Sequence, residues 1–130
     1  MRARPSLVLP LCLLVCGCGK KEKSTAELLD DLKATEERDR LIAVRLLPQR
    51  KSDAAQVVPA LIVALKDKAV DIRLSAAIGL GSLGDLAKDA IPALQVARQD
   101  HDARVRDAAG VALTRIDPTI TPNAAPKNKR

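Results

Sequence analysis

The sequence predicts an all-α fold, a short α-solenoid of about three antiparallel helix pairs. The first observation is an internal repeat, because residues 57–67, VVPALIVALKD, recur 33 positions later as AIPALQVARQD at residues 90–100. The second is the helical spacing of the apolar residues, with no alternating pattern of the strand type. One helix pair cannot bury its apolar face alone, so a fixed period of this size is typical of stacked units. The repeat therefore favours a binding scaffold over a catalytic pocket.

The 33-residue offset continues without a gap on both sides of these segments. Corresponding positions are Asp67 and Asp100, Arg73 and Arg106, and Leu80 and Leu113, preceded in a first unit by Leu28, Leu32, Arg40 and Leu47. We therefore place the repeat domain at residues 24–117 and divide it into units 24–55, 56–87 and 88–117.

Capping residues and helix-breaking residues give approximate bounds to the predicted helices. Ser24 and Glu27 match a capping box, so a first helix starts there and runs to about residue 33. A second helix at residues 36–47 ends at Pro48, which has no N–H group to donate. The other helices are predicted at about residues 56–66, 69–83, 88–99 and 102–116, with breaks at residues 84–85 and 117–118.

Two prolines and one aspartate support these starts. Pro59 and Pro92 fall early in their predicted helices, and proline is tolerated in a first turn because the amides there have no helical partner. Asp102 is placed to cap the last helix. Its counterpart in the middle unit is Ala69, which predicts a weaker cap.

The residues within the repeat carry a family resemblance. They are Pro59-Ala60-Leu61, Asp67, Ile72-Arg73, Ala76-Ala77 and Leu80-Gly81, repeated as Pro92-Ala93-Leu94, Asp100, Val105-Arg106, Ala108-Ala109 and Leu113. This pattern resembles HEAT-like repeats of the short type that also occurs in phycobilisome-lyase-like proteins. Tetratricopeptide repeats have a similar period, but their aromatic residues are absent from a chain without Phe, Trp or Tyr. Ankyrin repeats need a Thr-Pro-Leu-His-like helix start, which is also absent.

The resemblance covers residues 57–117 well and extends to residues 24–47 only in apolar spacing and Arg40, because Ala34 replaces the aspartate. It implies a right-handed solenoid. It also implies a structural ladder, in which aspartates accept hydrogen bonds at the turns and arginines reach a neighbouring unit. The ladder residues are Asp67, Arg73, Asp100 and Arg106.

The sequence contains no catalytic constellation. The single histidine, His101, stands in a turn between two aspartates, where a solvated side chain is expected. Ser75 and Ser82 have no accompanying base, and no glycine-rich loop follows a strand. We therefore predict no catalytic residue, no cofactor, no metal site and no small-molecule substrate, and expect that the protein is not an enzyme.

One set of apolar residues departs from the repeat pattern. Leu74 and Ile78 lie opposite the core face of the middle unit's second helix, where such repeats usually carry charge. The equivalent positions are Leu41 and Arg45 in the first unit, and Asp107 and Val111 in the third. Because second helices line the concave face of such stacks, the four apolar residues among these positions predict a shallow apolar strip for binding a protein partner. They are Leu41, Leu74, Ile78 and Val111.

The N-terminal residues predict export. Arg2 and Arg4 precede a short apolar run at residues 7–15, which reads as a signal peptide at residues 1–17 and is too short to span a bilayer. The segment from Val15 to Cys18 resembles a bacterial lipobox, although Cys16 is unusual there. The resemblance implies a lipid on Cys18 and an anchored polar tether at residues 18–23. Cleavage after Gly17 without lipid stays open.

The cysteines and charges divide unevenly along the chain. All three cysteines lie in the leader, so the repeat domain has no disulfide and no thiolate metal site. The net charge is +6, but residues 25–117 hold 14 basic and 15 acidic residues. The excess positive charge belongs to the leader, the tether and a basic tail at residues 118–130, which is expected to be disordered. This distribution weakens a nucleic-acid-binding interpretation.

The sequence therefore predicts an exported, membrane-anchored scaffold that binds a protein through the concave face of the helix stack. Its location would be the cell envelope, facing the periplasm, with the outer membrane favoured in a cell with two membranes, since Gly19 is not the aspartate that retains lipoproteins at an inner membrane. Two alternatives are a lyase-like repeat protein with an enzymatic role and a nucleic-acid-binding repeat module.

Overall fold

The computed structural model describes residues 22–120. The predicted signal peptide, the lipidated Cys18, most of the tether and most of the tail lie outside these residues. No helix within the described range is both long and apolar enough to cross a membrane.

The described part of the chain contains six α-helices and no strand, so the predicted all-α fold of stacked helix pairs is confirmed. The helices are α1 (Thr25–Asp31), α2 (Glu37–Leu46), α3 (Ala54–Ala64), α4 (Val70–Leu83), α5 (Ile91–Ala97) and α6 (Ala103–Ile116). Short 3-10 helices at Leu47–Gln49, Lys51–Asp53 and Gly84–Ala90 connect the pairs. Each unit therefore contributes a first helix (α1, α3 or α5) and a second helix (α2, α4 or α6).

The predicted helix caps are present. The Ser24 side chain accepts a hydrogen bond from the Glu27 amide, and the Glu27 carboxylate accepts one from the Ser24 amide at 2.7 Å, which completes the capping box. Asp102 accepts from the Arg104 amide at 2.9 Å and caps α6. At the start of α4 no side chain caps the helix, as Ala69 predicts. Asp67 accepts from the Ala69 amide at 2.9 Å, and Asp100 makes the same bond with the Asp102 amide in the third unit.

The predicted position of Pro59 is wrong. The third helix begins at Ala54, so Pro59 is its sixth residue and lies inside the helix instead of in its first turn. Proline has no N–H group, and α3 therefore lacks the hydrogen bond that residue 59 would donate to the carbonyl of Ala55. Pro92, in contrast, lies in the first turn of α5, as predicted.

The core is one continuous aliphatic cluster that follows the 33-residue period. Leu28, Leu61 and Leu94 from the first helices are fully buried, and so are Leu47, Leu80 and Leu113 from the second-helix side. Burying one such leucine contributes about 1.5–3 kcal/mol to the folded state. Since the buried leucines occupy corresponding positions in the three units, the 33-residue sequence repeat reflects a repeated set of core positions.

The two layers of helices are packed differently. The second helices form a continuous layer in which α4 contacts both α2 and α6 extensively, whereas α3 makes few contacts with the other first helices. Two glycines of α4 allow this approach: a Cβ atom on Gly79 would lie 2.6 Å from the Pro48 Cγ atom, and one on Gly81 would lie 3.0 Å from the Ala112 Cα atom. The stack is therefore narrower on the side of the second helices, which we take as its concave side.

The last unit is more polar than the middle unit on corresponding positions. Gln95 replaces Ile62 and is exposed, and Asp107 replaces Leu74 and is exposed as well. The third unit therefore does not repeat the apolar side chains that line surface grooves of the middle unit at these two positions.

Both ends of the described chain are held by contacts. Lys23 pairs with Asp31 at 2.6 Å, and its carbonyl accepts a hydrogen bond from Arg50. At the other end, Ile120 packs against the core, and the Thr119 amide donates to Asp117. The prediction of disorder from residue 118 onward is therefore wrong for residues 118–120.

Candidate binding surface

The charged ladder joins successive units. Arg40 of the first unit donates through Nε to Asp67 at 2.9 Å and through Nη2 to the same carboxylate at 3.2 Å. Its Nη1 donates to the carbonyl oxygens of Ala34 and Thr35 at 2.9 and 2.8 Å. The guanidinium group is therefore held in place by its own unit and forms a bidentate, two-pronged ion pair with the carboxylate of the next unit.

The second rung repeats this geometry. Arg73 donates to Asp100 at 2.8 and 3.0 Å, and its Nη1 donates to the carbonyl oxygens of Asp67 and Lys68. Arg40 and Arg73 thus each pair with the aspartate 27 residues ahead. Arg73 contacts Asp67, six residues before it, only through the backbone carbonyl, and Ala34 takes that place for Arg40.

Arg106 occupies the third arginine position without a carboxylate partner among the described residues. Its Nη1 donates to the carbonyl oxygens of Asp100 and His101 at 2.8 and 3.0 Å, as the other two arginines do in their units. The side chain is exposed, since no further unit follows it in the described range. Of the four ladder residues taken from the sequence, Arg73 and Asp100 therefore pair with each other, and Asp67 pairs with Arg40.

The ladder holds its carboxylates in the charged form. The hydrogen bond from Arg73 lowers the pKa of Asp100 despite partial burial. Burial acts in the opposite direction on Asp67, but the hydrogen bonds from Arg40 and the Ala69 amide outweigh it and lower the pKa of Asp67. In the two rungs, both arginines and both aspartates are thus engaged by neighbouring groups, whereas among the described residues Arg106 is held only by carbonyl oxygens of its own unit.

Leu74 and Ile78 line a groove between α2 and α4. Pro48 and Gly79 lie in the same groove, which has a volume of about 530 Å³. Ile78 is 54% exposed and Leu74 is partly buried. Within the groove Pro48 packs closely against Gly79, since a Cβ atom on Gly79 would lie 2.6 Å from the Pro48 Cγ atom.

Val111 lies in a second groove, between α4 and α6. This groove has a volume of about 260 Å³ and shares Ile78 with the first one. Val111 is 53% exposed. The structure thus brings Leu74, Ile78 and Val111 together as one apolar strip across two adjacent grooves on the layer of second helices, and we call these three residues the concave strip.

Leu41 lies apart from the concave strip. It is partly buried, packs against the core and lines neither groove. Its neighbour in the sequence, Ile42, is 40% exposed.

Sequence reasoning missed the basic residues beside the concave strip. Arg45 and Lys51 line the first groove, and Arg115 lines the second. All three are exposed, and neither groove has an acidic residue among those that line it. The sequence repeat placed Arg45 at the same position as Ile78 and Val111, but no binding role was assigned to it.

Sequence reasoning also missed a groove on the layer of first helices. Leu29, Leu32, Ile62 and Val63 line it between α1 and α3, with a volume of about 550 Å³. It forms because the first helices are spread apart. Val63 is 72% exposed, and its counterpart one unit later, Val96, is 69% exposed, so their shared repeat position was the available signal.

The described residues show no arrangement suited to metal binding or nucleophilic catalysis. No group of three or more His, Cys, Asp or Glu side chains within residues 22–120 is placed to hold a metal ion. His101 is exposed, and its carbonyl oxygen serves the ladder by accepting from Arg106. Ser82 donates to the Gly79 carbonyl at 2.7 Å, a local helix contact.

Comparison with known proteins agrees with this architecture. A search of curated proteins returns no match. The family model for HEAT repeats matches residues 25–114, which include all three helix pairs and both rungs of the ladder. The match covers well over half of the chain, and the chain therefore belongs to the HEAT repeat family.

Proposed function

We propose that this protein is an exported, lipid-anchored scaffold that binds another protein through the concave face of its helix stack. HEAT repeats generally serve as protein-interaction scaffolds. The observation that carries the proposal is the concave strip. Three aliphatic side chains form it on a face where two grooves meet, and two of them are about half exposed.

The exposure of the concave strip is not required by the fold. Ile78 points away from the core that Leu80 and Ile72 build on the same helix. In the first unit the equivalent position carries Arg45, which shows that a charged residue is compatible with this place in the stack. Single exposed aliphatic residues are common on protein surfaces, but a contiguous set beside a groove is typical of a binding surface.

The proposed anchor follows from the leader. A lipid on Cys18 would be joined to the start of α1 by about six residues, which span at most about 20 Å. The domain would thus stay close to the membrane. Attachment confines the search for a partner to that surface and raises the effective concentration of the binding site. Lys20 and Lys21 beside the lipid would add about 1 kcal/mol each of attraction to anionic head groups.

The test combines crosslinking in native membranes with mass spectrometry. A photo-reactive residue replaces Ser82, which is exposed and lines the groove between α2 and α4 without belonging to the concave strip. We expect a crosslinked protein partner, and a mature N-terminal peptide whose mass reports acylation at Cys18. An unmodified Cys18 would contradict the lipid anchor. The scaffold proposal would then depend on whether a protein partner is crosslinked.

Charge-bearing variants locate the binding face. We expect Leu74→Glu together with Ile78→Glu to abolish capture of the partner, because a buried carboxylate opposite an apolar contact is strongly unfavourable. Val63→Glu is the matched control: it replaces an exposed aliphatic residue of the other layer and should leave capture unchanged. Circular dichroism should show equal helix content for both. Unchanged capture by the double variant, or loss with Val63→Glu alone, would reject the concave strip as the binding face.

A further inference from the structure

We infer that the partner presents an acidic segment to the concave strip, with carboxylates that pair with Arg45, Lys51 and Arg115. This inference rests on the proposed function and specifies the chemistry of the partner. It follows from the distribution of charge around the two grooves.

The three cations beside the concave strip have no carboxylate oxygen within 4 Å among the described residues. The same holds for Arg38, Lys66, Lys68 and Arg106, but those four line neither groove. Basic side chains of the described range that do lie within 4 Å of a carboxylate oxygen include Lys23, Lys33, Arg40, Arg50, Arg73, Lys88 and Arg104. Arg45, Lys51 and Arg115 form no such pair with residues 22–120. Their charge is therefore available to a ligand.

The local charge also differs in sign from that of the domain. Residues 25–117 contain one more acidic than basic residue, so positive charge on this face is not a consequence of composition. The residues that line the two grooves include three cations and no carboxylate. The residues that line the two grooves therefore carry charge of one sign, whereas exposed Asp107, one helical turn before Val111 on α6, lines neither groove. Electrostatic complementarity with these grooves disfavours a basic segment and favours an acidic one.

The repeat arranges these groups in a defined order. Arg45, Ile78 and Val111 share one repeat position on α2, α4 and α6, so they follow one another across the layer of second helices. Neighbouring packed helices are about 8–10 Å apart. Arg115 lies one helical turn beyond Val111 on α6. A complementary segment that crosses the layer from α2 to α6 therefore places an acidic residue opposite Arg45 and apolar residues opposite Ile78 and Val111. A second acidic residue, displaced along the axis of α6, would meet Arg115.

The test uses the full-length protein in native membranes with the photo-reactive residue at position 82. In one variant the three cations are reversed: Arg45→Glu, Lys51→Glu and Arg115→Glu. In the matched control Arg38→Glu and Lys68→Glu reverse two cations that are also exposed and unpaired within the described residues but line neither groove. We expect the first variant to reduce the crosslinking yield roughly tenfold, as the loss of several attractive contacts predicts, and the control to change it little. The crosslinked peptide of the partner should be rich in Asp and Glu.

Three results would overturn the inference, and they separate it from the proposed function. An unchanged yield after charge reversal, with yield still lost in the Leu74→Glu and Ile78→Glu variant, would leave the concave strip as a binding face but reject the acidic partner. A crosslinked peptide that is neutral or basic would do the same. Crosslinking only to lipid or nucleic acid, or to nothing, would reject both.

Discussion

The close approach of α4 to its neighbours predicts opposite effects for two glycine-to-alanine substitutions. Gly79 and Gly110 both lie inside second helices, in α4 and α6. A Cβ atom on Gly79 would lie 2.6 Å from Pro48 Cγ, whereas a Cβ atom on Gly110 would have no neighbour within 4 Å. The pair therefore separates helix propensity from packing.

The magnitudes follow from the two environments. Alanine is more favourable than glycine in a helix interior by about 0.5–1 kcal/mol, so Gly110→Ala should stabilise the protein by about this amount. Gly79→Ala gains the same propensity but forces a rigid proline ring away, and overpacking of this kind costs about 1–3 kcal/mol. Since the propensity gain cancels in the comparison, the two variants should differ in their free energies of unfolding by about 1–3 kcal/mol.

Urea unfolding followed by far-ultraviolet circular dichroism measures this difference. Intrinsic fluorescence is not an option because the chain has no Trp, Tyr or Phe. For a domain of this size, 1 kcal/mol corresponds to a shift in Tm of about 4–8 °C, so thermal unfolding provides a second measurement. If Gly79→Ala were as stable as Gly110→Ala, the contact between Pro48 and α4 would not be as tight as described, and the reasoning on the concave layer would fail.

Two further predictions concern the ladder. Asp100→Asn and Arg73→Lys should each lower the free energy of unfolding by about 1.5–3 kcal/mol, because each breaks a charged two-pronged contact. Arg106 has no carboxylate partner in the described range, so Arg106→Lys should have a clearly smaller effect in the same urea experiment. Equal losses in all three variants would contradict the ladder as described. Acid should destabilise the protein: the pKa values of Asp67 and Asp100 are lowered in the folded state, so their contribution is present above the unfolded value of about 3.9 and is lost as the pH falls through the folded pKa values. The midpoint of urea unfolding, measured between about pH 6 and pH 3, checks this. A midpoint that stays constant over this range would contradict the prediction, and so would a midpoint that falls equally in the Asp67→Asn, Asp100→Asn double variant.

Local features of the fold were accessible from the sequence because they depend on residues close together in the chain. The capping box at Ser24 involves a neighbour three residues away, and the Asp102 cap involves the amide two residues on. The leucines of the core recur every 33 residues, so their burial followed from the period. The error at Pro59 arose because α3 begins at Ala54, about two residues earlier than predicted. Two short 3-10 helices precede it, and neither has a strong signature in the sequence.

The candidate binding surface could be predicted from the sequence only in part. The apolar departures at Leu74, Ile78 and Val111 are visible in the repeat, but the exclusion of Leu41 is not. Leu41 packs against the core of its own unit, whereas its counterpart Leu74 lines the groove beside Pro48. The difference arises from the packing between units, which the sequence pattern does not describe.

By itself, the sequence determined the helical class, the number of helix pairs and the leucines that face the core, because these follow from spacing along the chain. The tertiary structure decided which charges meet and which do not. Arg73 pairs with Asp100 of the next unit, 27 residues away, and Arg45, Lys51 and Arg115 converge on the concave strip without a carboxylate. The reason is physical: ion pairs and grooves depend on distances of a few ångström between side chains of different helices, and those distances are set only when the units stack.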